Sequence, residues 1–507
     1  MLSVLPTVWF AVFFMWPTLH AFVSLMSWDT VVHTLSSRTT WTVLWFTTWQ
    51  ALLSVGATFV IALPLTWILA RFTFRGSRWV RAIVSTPFVL PTVVVAGAVM
   101  TLLPLQYQFG VHGIIIAHVL FNIAVVVRIV GVRWRSISPD QMRAAQVLAA
   151  SPMRTLWHIT LPQLRVSLYS AALIVFVFTF TSFGVVSVLG GLTRRTIEVE
   201  IYTNAIRLGF FDTAMTLAVI QLYAVAVVFA LSASMQRHTR TTHGTTFQPV
   251  SLKDHPRHRF TILSIAIATP ILVALPFIGL FVRSFRAGDT WTFNAWRALW
   301  NGSLEQVGLD VPAIIARSLF FALITVVIAV PMAYITASLS TYMPRGASLI
   351  RSFTSLPIII SAVTLGFGII VTFDHAPFNW RGDTWLLPVI HALIALPLAV
   401  HLLVPALQAI SPTQREAAVT LGASPMKVWW HIDARTMRSP CAGAAALSFA
   451  VSLGEFGATT FLSRSSSTTL PIAISQLLSR PGTTLQASGF ALAAILAIMT
   501  AVVMSRA

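Results

Sequence analysis

Long apolar stretches without charge alternate with short polar connectors along the whole chain. Residues 1 to 28, 39 to 70, 166 to 193 and 213 to 236 carry no Asp, Glu, Lys or Arg, and 82 to 127 is long enough for two spans broken near Pro104 and Gly110. The second half continues with 260 to 282, 318 to 344, 352 to 373, 384 to 414, 439 to 463 (interrupted only by Glu455) and 481 to 505. A helix needs about 20 mostly apolar residues to cross a hydrocarbon core about 30 Å thick. The pattern therefore predicts twelve membrane-crossing helices, six in each half. Residues 6 to 27 read as a retained first span, because no basic segment precedes them and no clear small-residue exit follows. Pro64, Pro87, Pro91, Pro331, Pro357 and Pro397 interrupt spans, which is tolerated where helices pack or line a cavity.

Composition strengthens this picture. The 507 residues are 56% hydrophobic and only 9% charged, against the roughly one-quarter charged of soluble domains, so a soluble globular enzyme is excluded. The net charge of +19 would suggest nucleic acid in a soluble protein, but here it sorts by side of the membrane. With the N-terminus placed inside, cytoplasmic segments hold 21 of the 33 Lys and Arg and 4 of the 14 Asp and Glu. The basic excess is thus positive-inside bias, with no nucleic-acid partner implied. The lone Cys441 excludes an intrachain disulfide and any Cys-rich metal site. The connector 237–259 carries His238, His243, His255 and His258 in a spacing that matches no compact tetrahedral pattern, so no metal site is expected.

The chain also repeats itself. Ser138 to Arg165 (SPDQMRAAQVLAASPMRTLWHITLPQLR) and Ser411 to Arg438 (SPTQREAAVTLGASPMKVWWHIDARTMR) are identical at 14 of 28 positions, at an offset of 273. The same offset pairs His118 with His391 and Gly184 with Gly457. Both halves have six predicted spans, so the repeat is parallel, unlike the inverted repeats common in secondary transporters. The organisation expected is a first unit over 1–236, a basic cytoplasmic linker over 237–259 and a second unit over 260–507. Each repeated segment lies on the cytoplasmic side, between the fourth and fifth spans. Ser-Pro starts a short helix in each copy. In the second copy Ala417, Ala418 and Leu421 form a small apolar face, and Gly422 suits a left-handed helix end. Ser151-Pro152 and Ser424-Pro425 then begin a second short helix. Small residues on a cytoplasmic helix suit docking into a groove of another protein, while Trp157, Trp429 and Trp430 suit the lipid interface.

These loops resemble the coupling loop of the membrane permeases of binding-protein-dependent ABC importers, whose pattern is Glu-Ala-Ala, three residues, Gly, about nine residues, then Ile-x-Leu-Pro. The second copy matches with Glu416, Ala417, Ala418 and Gly422, but has Ala434-Arg435 in place of Leu-Pro. The first has Arg143, Ala144, Ala145 and Ala149, and keeps Leu161-Pro162. The resemblance implies an all-α, multi-pass fold of about 12 transmembrane helices in two parallel-repeated six-helix units, the type I ABC importer architecture. It also implies two copies of a cytoplasmic ATP-binding subunit at these loops and an external substrate-binding protein. Fusion of two units is typical of the thiamine and ferric-iron branch, and Ser187 to Gly191 with Thr196 to Tyr202 looks closer to the thiamine permease. Ser182, Phe183 and Gly184, with Glu455, Phe456 and Gly457, resemble the pore-lining fifth span.

Other function classes leave weaker traces. The two lysines, Lys253 and Lys427, are followed by Asp and Val, so there is no Walker A loop, and ATP with Mg²⁺ is expected on the partner subunit rather than on this chain. A lipid-acting enzyme would need a His-Glu-x-x-His or Gly-x-Ser-x-Gly element, and neither is present. An ion-coupled transporter would need several mid-membrane ionisable groups, whereas Glu455 is the clear intramembrane acid, with His118 and His391 as possible additions. Glu455 could bind a cationic substrate or pair with a nearby polar group. Arg128 and Arg317 fall near span ends, where their side chains can reach water.

Overall fold

The computed structural model describes residues 4–191, 193–236, 250–252, 259–342, 356–357, 360–374, 380 and 383–505. Most of the linker 237–259, including its four histidines, lies outside these residues. In the first unit the helices are α1 (Leu5–Leu25), α2 (Arg38–Arg71), α3 (Ser77–Val89), α4 (Thr92–Leu102), α5 (Val111–Arg135), α6 (Pro139–Val147), α7 (Pro152–Phe180), α8 (Gly184–Leu189), α9 (Ile197–Tyr202) and α10 (Phe211–Gln236). In the second they are α11 (Arg259–Arg283), α12 (Val311–Tyr342), α13 (Ala362–Phe373), α14 (Leu386–Gln408), α15 (Pro412–Thr420), α16 (Arg438–Gly454), α17 (Gly457–Leu462), α18 (Leu470–Ser479) and α19 (Thr483–Ser505).

Among the described residues nine helices are long and apolar enough to cross a membrane, and α3 with α4 forms a tenth, broken span bent by 111°. The bend has a local cause. Pro91 disfavours helical geometry at the residue before it, and Leu90 accordingly adopts an extended backbone (φ −74°, ψ 147°). Two of the twelve expected spans are shorter than the apolar pattern suggested. In the stretch 352–373 the described helix is the 12-residue α13, and 439–463 is a 17-residue helix that stops at Gly454 because Glu455 leaves helical geometry (φ −68°, ψ 123°). Pro64, Pro331 and Pro397, by contrast, sit inside continuous helices.

The units share one packing plan. In the first, α2 lies along α5 with α7 against both; in the second, α12 lies along α14 with α16 against both. The first spans are exchanged: α1 packs against α13 of the second unit, and α11 packs against α3 and α4 of the first. The two units are therefore tied together through their own cores. One apolar core runs through both, and includes Phe14, Phe180, Phe183, Phe367, Phe456 and Phe461. At the heart of each unit a buried histidine bridges helices. His118 meets Ser54 at 3.1 Å and Ser182 at 2.9 Å, and His391 meets Ser452 at 2.8 Å and Thr459 at 2.9 Å. Paired polar groups of this kind satisfy one another where water is absent. Arg317 also turns inward, giving an N–H to the backbone oxygen of Thr468 at 3.1 Å, whereas Arg128 is exposed.

Candidate functional site: two repeated loops and a central seam

Both repeated loops fold alike. The helices α6 and α15 end in the same hydrogen-bond pattern, with Ala150 N–H reaching Ala145 O at 2.9 Å and Ala423 N–H reaching Ala418 O at 3.0 Å. That closure requires a left-handed residue, supplied by Gly422 (φ 79°) in one copy and by Ala149 (φ 52°) in the other. Ala149 is the sole non-glycine residue with positive φ among the described residues, so the first loop keeps the geometry of the second against its own side chain. Ser151 and Ser424 each accept an N–H from three residues on, at 3.3 and 3.4 Å, and so start the following helix. Ser138 accepts from Asp140 N–H at 3.2 Å, while Ser411 begins α15 without a side-chain cap. A wide turn follows in both copies, Leu156–Thr160 within α7 and Trp429–Asp433 in the second; Leu161 and Pro162 come next along α7, and Pro162 is exposed.

The exposed faces of the loops match as well. Leu148 and Leu421 are 80% and 88% exposed, and Met153, Met426, Trp157 and Trp430 also point outward. Exposed apolar groups in such a constellation mark an interaction surface. Ala144, Ala417, Arg143, Glu416 and Pro425 share this exposure, but Ala145 is buried and Ala418 half-buried. The expectation that both alanines of each pair face a partner is therefore narrowed to Ala144 and Ala417, because the second alanine of each pair turns toward its own unit.

The loops are anchored differently. In the second, Arg415 Nε lies 2.8 Å from Asp433 Oδ1, its guanidinium also bonds the Tyr342 hydroxyl and lies 5.1 Å from that ring's centre, and Trp429 Nε1–H donates to Tyr334 at 3.0 Å. The positions equivalent to Arg415 and Asp433 in the first loop are Met142 and Thr160, and Met142 packs against the apolar core. The aligned repeats could have revealed this joint exchange of an apolar–polar pair for an ion pair.

At the centre, the pseudo-equivalent Phe183 and Phe456 stack on one another with ring centres 5.4 Å apart and planes at 25°. Such a self-complementary contact is what a two-fold arrangement places on its axis. Gly184 and Gly457 permit the close approach: a Cβ on Gly184 would lie 2.2 Å from Thr92 Oγ1, and one on Gly457 would lie 3.1 Å from Ala362 Cβ. Ser182 is held by His118. Glu455 is 7% exposed, and its Oε1 accepts Ala458 N–H at 2.9 Å while Oε2 accepts Thr459 N–H at 2.9 Å and the Thr459 hydroxyl. His391 Nε2 stands 3.6 Å from Oε2. This carboxylate caps α17 at its positive end.

Among the described residues the most deeply buried acid is one that the sequence does not single out. Glu198 on α9 is fully buried, and burial pushes its carboxyl up to about 7. It sits in the connector between the fifth and sixth predicted spans, and no periodic signal distinguishes it from Glu200 on the same short helix.

Comparison with known proteins fits this architecture. The model of the family described as "binding-protein-dependent transport system inner membrane component" matches residues 62–238 and again 329–506. The thiamine transport system permease protein of Brucella abortus (strain 2308) is 27% identical over 481 residues, covering 89% of this chain and 84% of the relative. That of Haemophilus influenzae is 24% identical over 448 residues, covering 83% and 80%. A putative 2-aminoethylphosphonate transport system permease protein of Salmonella typhimurium is 32% identical over 151 residues, covering 30% and 56%. With two matched units on a multi-pass helical frame, this chain belongs to the family of binding-protein-dependent transport system inner membrane components.

Proposed function

We propose that this chain is the two-unit permease of an ATP-driven importer, and that its cargo is thiamine or a thiamine phosphate. In this reading an external binding protein delivers the cargo, and two ATP-hydrolysing subunits dock on the cytoplasmic loops around Ala144 and Ala417. Both termini face the cytoplasm. ATP with Mg²⁺ belongs to the partner subunits. When ATP closes them, the loops move the two units, the Phe183–Phe456 contact opens outward, and hydrolysis returns the closed form.

The observation that carries this reading is the repeated pair of exposed loop faces, Leu148, Met153 and Trp157 opposite Leu421, Met426 and Trp430. Two like faces suit a partner with two like subunits. The cargo is supported by the full-length relatives named for thiamine transport. Reconstitution of the chain with its ATPase and binding protein in proteoliposomes tests it. ATP-dependent accumulation of thiamine is expected. Binding of ferric iron rather than thiamine by the cognate binding protein would overturn the cargo, and ATP-independent, ion-driven uptake would overturn the mechanism.

A further inference from the structure

Glu198 lies where the two units meet. Its Oε1 accepts the side-chain N–H of Gln221 on α10, and Ser361, which precedes α13 of the second unit, approaches the same carboxyl from across the seam. The Ser361 hydroxyl is itself engaged with Thr364 at 3.0 Å. Glu198 Oε2 has no hydrogen-bond partner, and neither does the amide oxygen of Gln221; the two residues are 0% and 2% exposed. Buried acceptors left unpaired are uncommon and costly; the carboxyl's own proton can fill the gap between these two while it is neutral, and a positive charge is what can take that place when it ionises. Of the arginines on this connector, Arg195 pairs with Glu200 at 3.5 Å, and Arg207 already lies over the Tyr202 ring at 5.8 Å, which shows that this ring accepts a cation.

Aromatic rings supply the second half of the chemistry. Tyr202 is four residues beyond Glu198 on the same helical face. It meets Phe183 edge-on at 5.4 Å and Phe461 at 5.5 Å, and Phe183 stacks on Phe456, so the rings come from both units. A carboxylate beside electron-rich ring faces is the combination that holds an organic cation. The repeat breaks here, because the position equivalent to Glu198 is Pro471. Glu455 offers no comparable vacancy, since both its oxygens already accept backbone N–H groups.

We propose that Glu198, with Tyr202 and the Phe183–Phe456 pair, is the cation-binding point of the transport pathway, exposed when the units part and taking an aromatic organic cation. The thiazolium of thiamine is such a cation, and only that identification rests on the function proposed above.

The test uses the intact permease with its ATPase and binding protein in proteoliposomes. Dicyclohexylcarbodiimide, which modifies carboxyl groups in apolar surroundings, is added during ATP turnover and labelling of Glu198 is read by mass spectrometry. Thiamine is expected to protect Glu198 at least five-fold, and excess benzyltrimethylammonium to do the same, while neutral benzyl alcohol does not. In Glu198→Gln, thiamine uptake per ATP hydrolysed is expected to fall about ten-fold. Thiamine uptake without protection of Glu198 overturns the site but keeps the cargo. Protection by benzyltrimethylammonium in a complex that imports no thiamine overturns the cargo but keeps the site. A Glu198 never labelled during turnover, protection by the neutral alcohol, or a Gln variant with unchanged uptake per ATP also overturns the site.

Discussion

Breaking the Arg415–Asp433 pair should loosen one loop and leave the other untouched. The side chains are 20% and 10% exposed, so the pair sits between a surface bridge, worth about 0–1 kcal/mol, and a buried one, whose disruption costs about 3–5 kcal/mol. Asp433→Asn strands a half-buried guanidinium, for which about 2 kcal/mol is the intermediate value. Arg415→Met also removes the contact with the Tyr342 ring, adding about 0.5–1 kcal/mol. The double substitution Arg415→Met with Asp433→Thr installs the residues of the first loop and leaves no unpaired charge, so it should cost less than either single change.

Hydrogen exchange of the native protein, followed by mass spectrometry on peptides covering 411–433, reads this directly. A loss of about 2 kcal/mol raises local opening roughly 30-fold, since 1.4 kcal/mol is a factor of ten. Peptides covering 138–160 should exchange as before. Exchange of 411–433 at its original rate in Asp433→Asn, or a double variant looser than both singles, would refute the argument that the ion pair fastens this loop.

Other consequences follow from the same geometry. Ala149→Gly should tighten the first loop by about 1 kcal/mol, because an L residue at positive φ costs roughly 1–2 kcal/mol and glycine repays part of that in chain entropy; slower exchange at 148–151 checks it, and Gly422→Ala should do the reverse. Ala144→Glu and Ala417→Glu should abolish retention of the ATPase on affinity beads while the purified permease keeps its melting temperature, whereas Ala145→Glu, buried in its own unit, should lower that temperature. Phe183→Ala with Phe456→Ala removes a stacked pair worth about 0.5–1.5 kcal/mol beyond its buried area, and should raise ATPase activity in the absence of binding protein. The Glu198 carboxyl is raised by burial from 4.5 to about 7, opposed by Gln221 and Ser361, neither of which titrates. The closed form therefore binds the extra proton, losing stability as pH rises from about 4.5 to about 7 with the penalty complete above that. Glu198→Gln should flatten this part of the melting-temperature profile.

Much of the fold is legible in the sequence because hydrocarbon imposes a single length scale. A helix such as Arg38–Arg71 announces itself by the charges at its ends and their absence between. The short spans are less legible for a physical reason. Apolar composition continues from Gly454 through Leu462, but the backbone break at Glu455 depends on a carboxylate finding the N–H groups of Ala458 and Thr459, a contact that composition does not encode. The loops were readable because two copies fix which positions recur. Their orientation was not: Ala144 and Ala145 are the same residue type, and only packing decides that one is exposed and the other buried.

The departures from two-fold repetition are the informative positions. Where the units meet they keep matching rings, Phe183 with Phe456, and within each unit they keep the bridging histidine, His118 or His391. Two of the differences exchange charge: Met142 and Thr160 become Arg415 and Asp433 in the second loop, and Glu198 becomes Pro471 at the seam. Fusion of the units into one chain is what permits this, since in a homodimer any charge placed near the axis is duplicated and must repel its copy. One acid near the axis with no twin can meet one cation, and a single ion-paired loop can be stiffer than its counterpart. The repeat thus preserves the shape of closure while the substitutions assign unlike tasks to the two units.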